Sequence, residues 1–167
     1  KSDNTVITYV NRMKIIWNEA RKERFTSRNP FEFLSLPKKI NPDKVYLFLD
    51  DVKLLAKIKF EQSSKEQVRK AFLFSCFTGM RRGDVLNLEW SNISDDLKQV
   101  KFRPIKSKKK ILTIPLHPTA KKILESLERR NDKVFHLLNI SRIMTHIKKI
   151  GEKAKLSKPI TFHVARH

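Results

Sequence analysis

Cysteine occurs once in these 167 residues, so the chain can form no internal disulfide and no zinc cluster of thiolates. That residue, Cys76, lies in the apolar run Ala71-Phe72-Leu73-Phe74-Ser75-Cys76-Phe77, where a thiol serves as a small core side chain. A lone buried thiol suits a reducing compartment. Acidic residues are few: 17 Asp and Glu stand against 37 Lys and Arg. The adjacent pairs Asp50-Asp51 and Asp95-Asp96 fall on expected surfaces. No compact acidic cluster is left to hold the divalent ions that carboxylate-based nucleases use. No apolar stretch is long enough to span a bilayer, no basic amphipathic helix stands out, and no charged n-region precedes an apolar h-region. A membrane partner and secretion are therefore set aside, and cytoplasm is the expected compartment. Glycine appears only three times, and tyrosine only twice, as Tyr9 and Tyr46.

What the chain has in excess is positive charge. Its formal net charge is +20, with a pI near 10.3. An imbalance of that size predicts attraction to a polyanion, with double-stranded nucleic acid foremost. Hydrophobic residues make up 40% of the sequence, enough for one core, and the length allows one domain or one domain with part of another.

Two of the three glycines fall within five residues, in Thr78-Gly79-Met80-Arg81-Arg82-Gly83-Asp84. Apolar residues flank them: the run 71–77 before, and Val85, Leu86 and Leu88 after. A sharp turn between two buried segments therefore presents two arginines. A guanidinium beside a buried turn requires an anionic partner. Asp84 is one candidate, tying two helices together. A phosphate is the other, since its oxygens match the guanidinium fork.

Upstream, Ser2-Asp3-Asn4 offers capping groups to a helix of roughly five turns with Val6, Val10, Met13, Trp17 and Ala20 along one stripe. Pro30, Pro37 and Pro42 then punctuate the chain, and residues 36–44 read as a linker carrying Lys38 and Lys39. Val45 to Ile58 reads as a helix whose cap is either absent, because Phe48 takes its place, or shifted to Asp50. Ser64-Lys65-Glu66-Gln67 has the form of a capping box for a helix running to Thr78, with its aromatic stripe as core. Val100–Ile105 and Ile111–Pro115 read as a hairpin with the cationic tip Lys106-Ser107-Lys108-Lys109-Lys110. His117-Pro118 starts another helix. Ser141 caps one with Ile143, Ile147, Ile150 and Ala154 inward, and Thr161 caps a last piece carrying His163, Arg166 and His167. The expected fold is mainly α with a small β-hairpin.

Thr78-Gly79-Met80-Arg81 and His163-x-x-Arg166-His167, with a lysine-bearing hairpin between them, resemble in order and spacing the motifs of the tyrosine recombinases, the phage-integrase family. The resemblance extends over most of the chain from about Val45. It implies a catalytic domain over residues 45–167, C-terminally truncated, preceded by a linker at 36–44 and by the last helices of a helical core-binding domain at 1–35. It implies site-specific recombination by metal-free DNA strand cleavage and rejoining through a 3′-phosphotyrosyl intermediate, with no cofactor. In that scheme Arg81 and Arg166 grip the scissile phosphate, and Lys106 protonates the leaving 5′-oxygen, with Lys108 as the alternative lysine. His163 acts as general acid–base, Asp84 orients the cationic groups, and His167 braces the site. Lys38, Lys39, Arg82, Lys109 and Lys110 are the expected DNA contacts. His163 and His167 have metal-chelating spacing, but with no third ligand apparent no metal site is assigned.

The resemblance places the nucleophilic tyrosine beyond His167, since Tyr9 and Tyr46 lie far upstream. A fragment that binds DNA without cutting it is expected. Self-association on DNA, tetrameric in the family, and a nucleoid-associated location complete the expectation. The competing reading is a non-catalytic helical DNA-binding regulatory module. It shares the charge but leaves the ordered Arg, Lys, His and Arg unexplained.

Overall fold

The computed structural model describes residues 2–41, 43–107, 110–137 and 139–167. Lys1, Pro42 of the expected linker, Leu138, and Lys108 and Lys109 of the hairpin tip lie outside the described residues. The chain divides into two compact units, Lys1–Lys44 and Val45–His167.

In the first unit, α1 (Asp3–Lys22) begins at Ser2, whose side chain makes no capping bond. Asp3 in the first turn and Arg21 and Lys22 in the last complement the helix dipole instead. Asn4 reaches the segment after Pro37: its amide donates to the Ile40 carbonyl at 2.5 Å and accepts the Ile40 N–H at 3.0 Å. Trp17 donates to the Arg28 carbonyl at 2.7 Å and stands edge-on to Phe31. The proline-punctuated segment is thus pinned along α1 by polar groups, and no residue of α1 is buried.

The second unit is built around α3 (Ser63–Thr78), which buries Val68, Ala71, Phe72, Leu73 and Phe74. The other α-helices described in this unit pack on it: α2 (Leu49–Lys57), α4 (Arg82–Leu86), α5 (Pro118–Glu125), α6 (Ile140–Lys153) and α7 (Phe162–Arg166). Phe72 meets Phe162 of α7 edge-on at 5.7 Å, and Phe74 meets Phe135 at 5.4 Å. The aromatic stripe is core. Burial also pushes the Cys76 thiol up to about 12, so it remains protonated and unreactive.

Between α4 and α5, β1 (Gln99–Phe102) pairs antiparallel with β2 (Leu112–Pro115), Val100 opposite Ile114 and Phe102 opposite Leu112. Val100 and Phe102 point into the core, and the alternate residues face solvent. The hairpin matches the expected one with each strand shortened.

Three expected helix starts are corrected. The N-cap of α3 lies two residues before the expected Ser64, at Gln62, whose side chain makes no capping bond. Glu66 accepts from Arg69 and from the Phe60 N–H. Arg69 in turn donates to the carbonyls of Leu55 and Ala56, which the end of α2 leaves without helical partners. Helix α2 starts at Leu49, not Val45, and Asp50 is not its cap. Asp51 takes the Phe48 N–H at 2.9 Å. Helix α6 is capped by Asn139, which accepts the Arg142 N–H at 3.0 Å, rather than by Ser141. Thr161 caps α7 as expected, and α5 starts at the expected His117-Pro118, where His117 accepts the Thr119 N–H.

Candidate active site

The first arginine is placed by a turn with little freedom. Gly79 ends α3 at φ 65°, a left-handed conformation that glycine adopts without strain, and its N–H closes on the Ser75 carbonyl at 2.9 Å. Ser75 Oγ donates to the Met80 carbonyl at 2.9 Å, and Thr78 Oγ1 donates to the Phe74 carbonyl at 2.7 Å. Met80 is buried between them. Arg81 follows as the extended residue before α4, with an exposed side chain. Of the two partners open to the turn's arginines, Asp84 is not the one in this structure. Among the described residues no carboxylate lies within ion-pair distance of Arg81, Arg82 or Arg166.

Asp84, 6% exposed, points elsewhere and accepts the Ile105 N–H at 3.0 Å. That bond holds the residue next to Lys106, and the Ile105 side chain packs over Gly83. A carboxylate thus fixes the chain that carries the lysine instead of neutralising an arginine.

Helix α7 sorts its residues by face. Phe162 and Ala165 are buried against the core, so His163, Arg166 and His167 turn outward together. The approach to α7 rests on Gly151 of α6, where an added Cβ would stand 3.0 Å from the Ile160 side chain. His163 and His167 bring their Nε2 atoms within 3.0 Å, with the rings nearly perpendicular.

These elements enclose one open cavity of about 640 Å³. Arg81, Arg82 and Gly83 line it from the turn and α4, Lys106 from the hairpin, Met144 from α6, and Thr161, Phe162, His163, Arg166 and His167 from α7 and its cap. Four cationic side chains from three distant stretches share this basin with two imidazoles and no acid. Such an arrangement attracts and holds an anion. The Arg82 guanidinium lies 3.9 Å from the Met144 sulfur. Among the described residues no group of three or more His, Cys, Asp and Glu could hold a metal ion, and no helix is long and apolar enough to cross a membrane.

Of the expected site residues, Arg81, Arg82, Lys106, His163, Arg166 and His167 reach the cavity, and Asp84 stands behind it. Lys110 is exposed beyond Lys106, and Lys38 and Lys39 are exposed in the first unit. Met144 was not anticipated. Its signal was an apolar residue off the buried Ile143–Ile147–Ile150 stripe of α6. Tyr46, whose ring stands edge-on to His167, and Lys158, which joins Tyr46 to Asp51, carry no local signal.

A helical domain centred on one buried helix, with a short hairpin and a cationic basin, has the architecture of a tyrosine-recombinase catalytic domain. Residues 46–167 match the model of the phage integrase family, and the chain belongs to that family. Among solved structures it is similar to a lambda integrase tetramer bound to a Holliday junction, with TM-score 0.73 and 20% identity over 92% of this chain and 47% of that one. It is also similar to XerA recombinase, with TM-score 0.57 and 26% identity over 75% of this chain and 49% of that one. The integrase of mycobacterium phage Brujita gives TM-score 0.60 and 17% identity over 99% of this chain and 56% of that one. The chain thus spans about half the length of these structures. A comparison with curated protein sequences gives no match.

Proposed function

We propose that the intact protein is a site-specific DNA recombinase that cuts and rejoins strands through a 3′-phosphotyrosyl intermediate. The observation carrying this reading is that Arg81 and Arg166, from distant stretches of the second unit, open onto one cavity with Lys106 and His163. During phosphoryl transfer, negative charge grows on the non-bridging oxygens, and two preorganised guanidinium forks stabilise it. Lys106 gives a proton to the departing 5′-oxygen, and His163 takes the proton of the attacking hydroxyl. Asp84, through Ile105, holds Lys106 within reach. In this reading the attacking tyrosine is supplied from outside these 167 residues, as the resemblance of the motifs implies.

Duplex DNA is the partner, bound largely through its backbone by the excess of 20 positive charges, including Lys38, Lys39, Arg82, Lys109 and Lys110. Residues 1–35 form part of a second DNA-gripping domain and 36–44 join it to residues 45–167. Recombination takes place in a self-associated complex on DNA, as a tetramer. This chain alone binds DNA without cleaving it. The test is a nicked suicide substrate given to the intact protein: a covalent protein–DNA adduct at the 3′-phosphate is expected, and its absence contradicts the reading. A regulatory module would bind duplex equally well and form no adduct. Binding by the chain itself should weaken with salt at a log–log slope of about −0.9 for each phosphate neutralised.

A further inference from the structure

The segment entering α2 reaches α7 by a route the proposed reaction does not use. Lys158 stands four residues before Phe162, the first residue of α7. Its ammonium donates to Asp51 Oδ2 at 3.0 Å and to the Tyr46 carbonyl at 3.1 Å, and it lies 4.1 Å from the centre of the Phe48 ring. Asp51 also accepts the Phe48 N–H. The N–H of Phe48 and then the Lys158 ammonium hold the Asp51 carboxyl below its ordinary range. With side chains 29% and 21% exposed, this pair is better shielded from water than a typical surface ion pair.

The closure fixes the main chain of Tyr46. The Tyr46 ring stands edge-on to the His167 imidazole, centroids 6.3 Å apart and planes at 76°, and His167 brings its Nε2 to within 3.0 Å of His163 Nε2. Two ring nitrogens in that contact must divide the roles of donor and acceptor. When both rings are neutral, one is therefore the Nδ1–H tautomer, the form that free imidazole side chains favour less.

We propose that Tyr46, held in place by Lys158, is a positioning residue that keeps His167 on His163 and so sets how the two imidazoles divide their ring protons. Its catalytic consequence rests on the role of His163 in the reaction proposed above, whereas the geometry stands without it. The test is a long-range ¹H–¹⁵N spectrum of the histidine rings at pH 8, above the ordinary histidine range, with His163→Gln and His167→Gln supplying the assignments. One ring of the pair should show the Nδ1–H pattern in the unsubstituted chain. Tyr46→Leu and Lys158→Met should each convert it to the Nε2–H pattern. Tyr46→Phe, which keeps the ring, should retain it. The inference is overturned if both rings are Nε2–H from the start, if the signal survives Tyr46→Leu, or if Tyr46→Phe loses it. The readout needs no strand cleavage, so failure here is distinct from a missing adduct on the suicide substrate.

Discussion

The Arg81 turn and the Lys106 segment bring charge to the same cavity but are built in opposite ways. Arg81 follows a buried turn whose hydroxyl and main-chain groups bond one another, with Gly79 supplying the left-handed residue and Met80 sealed beneath. Lys106 lies beyond the end of β1 and is anchored by the Asp84 bond to the Ile105 N–H and by Ile105 against Gly83. A group that stabilises charge must be fixed before the reaction. In the proposed reaction Lys106 has only to reach the leaving oxygen, and one hydrogen bond with one side-chain contact holds its segment.

The contrast is tested most strongly by Arg81→Ala in the intact protein. Adduct formation should fall about 10²–10³-fold, or ~3–4 kcal/mol, as for loss of one oxyanion donor. The melting temperature should barely move, because Arg81 is exposed. Next comes Asp84→Ala, which leaves a main-chain N–H and its surroundings without their acceptor and should cost about 1–3 kcal/mol of stability by denaturant titration. It should also slow cleavage through Lys106. A substrate whose 5′-bridging oxygen is replaced by sulfur, a leaving group that needs no proton, should restore cleavage in Asp84→Ala and Lys106→Ala but not in Arg81→Ala. Rescue of all three would erase the distinction between the two regions.

Gly79→Ala should be milder. No heavy atom lies within 4 Å of the added Cβ, so only the left-handed conformation resists it, at about 1–2 kcal/mol by thermal or denaturant melting. Smallest is the effect of acid. The Phe48 N–H and Lys158 hold Asp51 low. Burial pushes Glu66 up, but the Arg69 hydrogen bond and charge and the Phe60 N–H outweigh it and hold it low. Carboxyls depressed in the folded state stabilise it above their ordinary range and lose that contribution as pH falls through the folded values. Melts below about pH 4 should therefore decline, and Asp51→Asn should flatten part of that decline.

Much of this arrangement could be read along the chain because its determinants are local. Gly79 after an aromatic run marks a helix end, Ile143, Ile147 and Ile150 repeat at helical spacing, and Thr161 marks the start of the helix that carries His163 and Arg166. Convergence of Arg81 with Arg166 came from family-like motifs, since periodicity says nothing of residues so far apart. What escaped depended on distant competitors. Ser64 lost its capping role because α3 starts before it, at Ser63, and Asn139 was available to α6 before Ser141. Asp84 looked like an arginine's partner because only its neighbours in sequence were visible, while Ile105 lay across the fold. The closure of Lys158 on Tyr46 and Asp51 joins residues more than a hundred positions apart and has no sequence signature.

The most direct test of shared phosphate binding is a double-substitution cycle on Arg81 and Arg166, following adduct formation by the intact protein on the suicide substrate. If the two guanidinium groups serve one phosphate, Arg81→Ala and Arg166→Ala together should cost clearly less than the sum of the single losses, as for residues that act as a unit. Strictly additive losses, or an adduct that forms at the unsubstituted rate with either arginine removed, would contradict it.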